Sequence, residues 1–191
     1  MYQDLLRDAR FFSMLLDLDA DLAERARGEG CRCGGTLHRA PYDRKPRGAA
    51  LTVGQTVRFS FCCAVEGCRR RATPASFRFL GRRVYLATVV LLVCALREGA
   101  TPARRRRLRE VCGADARTLR RWRRWWQQAF AGARCWRELR GRWGRPPADS
   151  ALPGALLDSM PLEWPLERRV VGVLRLLSPI TTGAGLTGQA A

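Results

Sequence analysis

Cys31-Arg32-Cys33-Gly34-Gly35 and Cys62-Cys63-Ala64-Val65-Glu66-Gly67-Cys68 are the two stretches on which the reading of this chain turns. Each gathers thiols beside glycines that permit a sharp turn, and a strand-forming segment separates them. Tetrahedral Zn2+ takes four ligands, commonly from two such turns brought face to face, and lowers the thiol pKa values as it binds. The pattern predicts a small zinc-ribbon-like β module with Cys31, Cys33, Cys63 and Cys68 as ligands and Zn2+ as a structural cofactor. Cys62 is the spare thiol because it ends the strand. Cys62 and His38, the only histidine, are the alternatives for a place in the set. The spacings depart from the commoner C-x2-C, and buried free thiols are the competing reading. Five cysteines in two glycine-flanked turns favour the metal. Four thiolates leave no open position for a water, and no glutamate stands in an H-x-E context, so the ion is expected to support structure. Cys94, Cys112 and Cys135 occur singly in helical context and read as core residues.

Working outward from the cysteines, Val57-Arg58-Phe59-Ser60-Phe61 alternates apolar and polar and predicts a strand leading into Cys62-Cys63. Thr36 to Arg39 is its weaker partner. On the N-terminal side, Leu5, Leu6, Ala9, Phe12, Leu15 and Leu16 recur at helical spacing, predicting one helix over 2–27 that Gly28 and Gly30 stop. On the C-terminal side, 83–98 is apolar on most faces and predicts a buried helix. Thr101 as N-cap and Pro102 at the first helical position open a second helix, running to about Val111. Cys112-Gly113-Ala114 is a tight connection, and Asp115 caps a third helix through Phe130. A linker at 144–147 precedes two short helical stretches near 152–158 and 163–177. Leu174, Leu176 and Leu177 there suit packing on the helical body or contact with a second copy. The expected class is α+β, mostly α: an N-terminal helix (1–28), the zinc-ribbon-like module (29–81), a three-helix helix-turn-helix unit (82–143) and a linker with a short helical tail (144–191).

The chain carries 35 basic against 17 acidic residues, a formal charge of +18 and a pI near 11.3. With 47% hydrophobic residues it is no disordered basic tail. Such an excess calls for a polyanionic partner, nucleic acid first and a membrane surface second. Lys45 is the only lysine, asparagine is absent and Ile180 is the only isoleucine, a bias expected of a GC-rich, bacterial genome. That bias accounts for arginine in place of lysine but not for the excess itself. Between Arg97 and Arg145 stand 16 arginines against four acidic residues, so most of the charge falls on one helical unit. In its third helix Leu119, Trp122, Trp126 and Phe130 form one apolar stripe. Arg117, Arg120, Arg121 and Arg124 occupy the opposite face, with Thr118 near the N-terminal end. A solvated face ordinarily mixes signs, and this one does not. These residues are the expected nucleic-acid contacts, joined by Arg104 and Arg105 from the run Arg104–Arg107, better placed for phosphates than for bases. The longest apolar run, Val84 to Leu96, has 13 residues and is too short for a bilayer span. The acidic start Met1-Tyr2-Gln3-Asp4 lacks the positive region of a secretory signal. A reducing, bacterial cytoplasmic location at the nucleoid is the expectation, and there cysteine clusters bind metal before forming disulfides.

Over about residues 28–145 the chain resembles bacterial mobile-element proteins of the transposase or transposase-associated kind. The likeness lies in Cys-Arg-Cys-Gly-Gly-Thr-Leu-His at 31–38, Asp43-Arg44-Lys45-Pro46-Arg47-Gly48 and Phe61–Cys68 followed by Arg69-Arg70-Arg71. It continues through Phe79-Leu80-Gly81-Arg82-Arg83-Val84-Tyr85-Leu86 and Thr118-Leu119-Arg120-Arg121-Trp122-Arg123-Arg124-Trp125-Trp126. In similar proteins a zinc-ribbon and helix-turn-helix head recognises element ends ahead of a nuclease domain. The resemblance therefore implies a DNA-binding accessory protein or a shortened transposase, since the 46 residues after Arg145 are too few for a ribonuclease-H-like fold. The implied partners are DNA and a recombinase or transposase subunit, with a second copy of the chain left open and no membrane.

Little in the sequence supports catalysis. One histidine excludes paired-histidine nickases and most acid/base dyads. Tyr2, Tyr42 and Tyr85 stand in no basic cluster of the recombinase kind, Tyr85 reads as a packing residue, and no phosphate-cradling glycine motif occurs. The alternative to the mobile-element reading is a zinc-stabilised interaction module, or a transcriptional regulator, that binds DNA or RNA without sequence preference.

Overall fold

A computed structural model describes residues 2–46, 51–80, 85–95, 101–141, 143 and 146–182. It is α+β and mostly helical, with two small antiparallel sheets. Helices α1 (Tyr2–Leu5) and α2 (Ala9–Glu29) replace the single helix expected over 2–27. Asp8 makes the break: its carboxylate accepts from the backbone N–H groups of Arg10 and Phe11, satisfying donors that the start of a helix leaves open. Gly28 lies within α2 and does not stop it. Gly30 does, at φ +72°, with its N–H bonded to the Arg27 carbonyl.

The β region follows. β1 (Leu37–Arg39), β2 (Tyr42–Asp43), a single turn of helix α3 (Val53–Thr56), β3 (Val57–Arg58), β4 (Phe61–Cys63) and β5 (Arg71–Ala72) form sheets in the orders β1-β4-β5 and β2-β3. The expected pairing of 36–39 with the strand at Cys62-Cys63 is present, in the register Leu37 to Cys63, His38 to Cys62 and Arg39 to Phe61. The continuous strand expected from Val57 is instead divided at Phe59-Ser60. Its first half pairs with β2 and its second with β1, so one segment feeds two sheets. The small core here is Ala23 of α2 with Leu37, Phe61 and Cys63.

The rest is helical. α4 (Ala87–Ala95) is buried at every position but Cys94, as its nearly uniform apolar sequence requires. α5 (Pro102–Cys112) and α6 (Ala116–Arg124) are joined through Gly113 at φ +63°, and Asp115 caps α6 by accepting from the Thr118 N–H at 2.6 Å. The third helix reaches Phe130 as expected, but Trp125–Phe130 is wound as a π-helix. α7 (Arg134–Arg140), not expected from sequence, α8 (Gly154–Asp158) and α9 (Leu166–Leu177) complete the body. Leu174 and Leu177 are buried, and α9 and α8 both pack on α4, so the tail folds back on the helical core. Trp122, Trp126, Phe130 and Trp136 are all buried, with Tyr85 edge-on to Trp122 at 4.7 Å. Tyr85 also donates to the Gly113 carbonyl at 3.3 Å, holding the turn before α6 against the start of the α4 segment.

A buried ion pair joins the β region to the body. The Asp19 carboxylate of α2 accepts from Ser76 Oγ at 2.6 Å, the Phe77 N–H at 2.6 Å and Arg78 Nε at 2.9 Å, and both charged side chains are wholly buried. The same guanidinium donates to the carbonyls of Gln55 and Val57. Burial pulls Arg78 below its ordinary pKa and the Asp19 charge opposes that pull. Removing one partner leaves the other charged, buried and unpaired. Asp19→Asn is therefore expected to destabilise the protein by about 3–5 kcal/mol in denaturant unfolding; a loss below about 1 kcal/mol would show that water or a rearrangement replaces the pair.

Candidate metal centre

Four thiols meet where the two cysteine turns face each other. Cys31, Cys33, Cys63 and Cys68, the four expected ligands, have sulfurs all within 4.8 Å of one another. Cys31 Sγ lies 3.8 Å from Cys68 Sγ, and Cys33 Sγ lies 3.5 Å from Cys63 Sγ. The cysteines are unbridged, and these separations fit a shared ion: sulfurs bound tetrahedrally at about 2.3 Å stand about 3.8 Å apart. The cluster could therefore hold a metal ion, in a site with four protein donors.

Local backbone geometry builds each half. In the first turn the Gly34 N–H donates to the Cys31 carbonyl at 2.8 Å and the Cys31 N–H to the Gly35 carbonyl at 2.9 Å. Gly34 sits at φ +83°, open to glycine without strain. Gly35 is required for a different reason. A Cβ there would lie 2.5 Å from Val65 Cγ2 and 2.8 Å from Cys63 Sγ, so the backbone must approach the sulfurs bare. In the second turn, the N–H groups of Cys68 and Arg69 both donate to the Val65 carbonyl, with Gly67 at φ +83°. The Ala64 N–H bonds the Thr36 carbonyl at 2.9 Å, tying the two turns together directly.

Proximity splits the thiols electrostatically. Hydrogen bonds from the Cys33 backbone and thiol hold Cys31 down at about 7. Cys63 receives a hydrogen bond from the Val65 N–H, which lowers its pKa, yet burial and the neighbouring thiols push it up to about 12. Crowded thiolates cannot all ionise by themselves; a divalent cation among them removes that conflict. Cys63 is fully buried, Cys31 and Cys68 are half-buried and Cys33 is exposed.

Neither alternative ligand joins the set. Cys62, one residue along β4, points away by strand alternation and donates to the Arg69 carbonyl at 3.5 Å. His38 is exposed on β1 opposite Cys62. Cys112 is buried, as expected of a core thiol, whereas Cys94 and Cys135 are half-buried at the core's margin. The four thiols singled out from the sequence are thus the four that cluster.

The residues expected to touch nucleic acid lie elsewhere. Arg117, Arg120, Arg121 and Arg124 are exposed on α6, opposite buried Leu119 and Trp122. Among the described residues the ion pairs fall on other arginines: Arg27 and Arg39 with Glu24, Arg78 with Asp19, Arg134 with Glu138, Arg140 with Asp149 and Arg169 with Asp158. Thr118 is half-buried and engaged in the α6 cap. Its backbone and side chain, with Arg109 and Arg121 beyond, hold the Asp115 carboxyl below its ordinary value. Arg104 and Arg105 lie on α5, and their side chains fall outside the described residues. No helix among the described residues is long and apolar enough to cross a membrane. Comparison of the chain with protein-family models, curated proteins and solved structures finds no match.

Metal analysis of the purified protein is expected to give about one ion per chain. Cys33→Ser and Cys68→Ser should abolish it, while Cys62→Ser keeps it. Gly35→Ala, which displaces Cys63 Sγ without removing a ligand, should weaken metal affinity about 10-fold or more. Full metal content in Cys68→Ser would place the ion elsewhere.

Proposed function

We propose that this chain is a double-stranded-DNA-binding protein whose cysteine cluster holds a structural Zn2+ and whose helices α4, α5 and α6 act as a helix-turn-helix. The carrying observation is the two-sided character of α6. One side is buried against α4 through Leu119 and Trp122, and the other carries Arg117, Arg120, Arg121 and Arg124, exposed and without ion pairs among the described residues. A guanidinium reads guanine through two parallel hydrogen bonds and also pairs with phosphate, so such a face suits a helix laid in a major groove. The tight 113–115 connection and the Tyr85 bond to Gly113 brace that helix, which keeps its side chains in register.

Zinc is the ion that four thiolates at these separations suit best in a reducing compartment, where it makes a closed, structural site. Bound, it would supply the cross-link that the small core of Ala23, Leu37, Phe61 and Cys63 needs in order to stay folded. Within this reading the resemblance to mobile-element proteins makes the chain an accessory DNA-binding subunit or a shortened transposase, acting beside a recombinase. Binding without chemistry is the activity assigned.

Mobility shifts on duplex DNA, single-stranded DNA and RNA across a salt series test the reading. Duplex should bind tightest, and Arg120→Ala and Arg124→Ala should each weaken it by about 5- to 150-fold, or about 1–3 kcal/mol. Equal affinity for all three nucleic acids, or variants that bind as the wild type does, would remove α6 from the interface. Zinc identity is checked in the same preparation by mass spectrometry of the released ion.

A further inference from the structure

The metal module carries a groove that the α6 reading leaves unused. It is about 610 Å3, lies between the C-terminal half of α2, the first cysteine turn and the segment 70–75, and is bordered by Arg25, Arg32, Arg70 and Arg71 against one carboxylate, Glu29. We infer that this groove seats the phosphodiester backbone of DNA outside the segment engaged by α6, as a second contact that rests on the duplex-binding reading above.

Three of these four charges have no ion pair among the described residues. Glu24, on another face of α2, engages Arg27 and Arg39, while Arg25, Arg32 and Arg70 are exposed and have no ion pair among the described residues. Four arginines lining one concavity concentrate positive potential, and the planar fork of a guanidinium matches phosphate oxygens. Three of the four stand on backbone tied to the cysteine module. Arg32 stands between two thiols of the cluster. The Arg70 carbonyl accepts the Cys63 N–H at 3.0 Å. Arg71 belongs to β5, opposite Cys62, with its guanidinium over the Tyr42 ring at 5.5 Å. Backbone anchored in this way loses little freedom on binding, so less of the attraction is spent on ordering the wall. The ion would then do more than fold the module: it would fix the wall on which the phosphates rest.

The test uses the full, metal-loaded chain and a duplex long enough to extend well beyond one helix-turn-helix site. The slope of log affinity against log salt counts phosphate contacts at about 0.9 each. The double variant Arg25→Ala/Arg70→Ala should keep its bound ion and lower the slope by about 1.8. An unchanged slope overturns the inference. Arg25 is exposed on α2 and is none of the four clustered cysteines or their chain neighbours; should the double variant lose its ion, a fall of about 0.9 in Arg25→Ala alone sustains the groove and no fall removes it. Arg120→Ala/Arg124→Ala is measured in parallel to separate the two readings. If it binds as the wild type does while the groove variant loses slope, the α6 assignment fails and the groove stands. If the reverse holds, the groove fails and α6 stands.

Discussion

The Asp19 carboxylate is the point on which the two halves of this protein depend. It lies on the long N-terminal helix, is wholly buried, and is met by a hydroxyl, a backbone N–H and a guanidinium from the three consecutive residues Ser76, Phe77 and Arg78. Arg78 carries the connection onward to the carbonyls at 55 and 57, and Arg58 repeats the device toward the carbonyls at 74 and 75. The Ser76 N–H closes the set on Thr181 Oγ1, near the C-terminal end of the described chain. Segments far apart in sequence thus share one polar centre. A pair of buried charges adds little net stability over an apolar filling, but it punishes every arrangement that separates the partners. Its effect is to single out one docking of the β region on α2.

This explains how a module with so small an apolar core keeps its position. Leu37, Phe61 and Cys63 reach α2 at Ala23, one helical turn from Asp19, so sulfur cluster and ion pair are fastened to neighbouring turns of one helix. The large core under α4, α6 and α9 also takes in Phe11, Phe12 and Leu15 of α2 and Phe77, Phe79 and Leu80 beyond β5, so α2 is seated in it as well. Division of labour follows the chemistry: apolar burial where the chain is helical, and sulfur and buried charge where the strands are two or three residues long.

What the sequence makes legible follows the same division. The thiol set is readable because a tetrahedral ion needs four donors, and because strand alternation turns Cys62 away from Cys63. The stripe Leu119, Trp122, Trp126 and Phe130 is readable from helical period, and Asp115 and Gly113 mark the start of α6 by cap and turn chemistry. Asp19 is not readable in this way: among Asp17, Asp21 and the other polar positions of α2 it looks like one more solvent-facing carboxylate, and its partner is 59 residues distant. Arg78 looks equally ordinary beside Phe77 and Phe79. The division of the 57–63 strand is hidden because alternation persists through Phe59 and Ser60 while the pairing partner changes. α7 is too short, at seven residues, for its period to stand out between Gly132 and Gly141. The helix break near residue 8 was visible only as an aspartate, a residue as common on a helix surface as at a helix start.

The cap of α6 has a directional consequence. The positive pole of a helix is its N-terminal turn, and a polyanion would ordinarily be drawn there end-on. In α6 that pole already carries its own anion, since Asp115 is bonded to the Thr118 N–H and held ionised by it. What remains attractive is the flank, where the arginines stand. On the proposed reading, a charged rod would meet this helix broadside, along its length, with the tip turned slightly away.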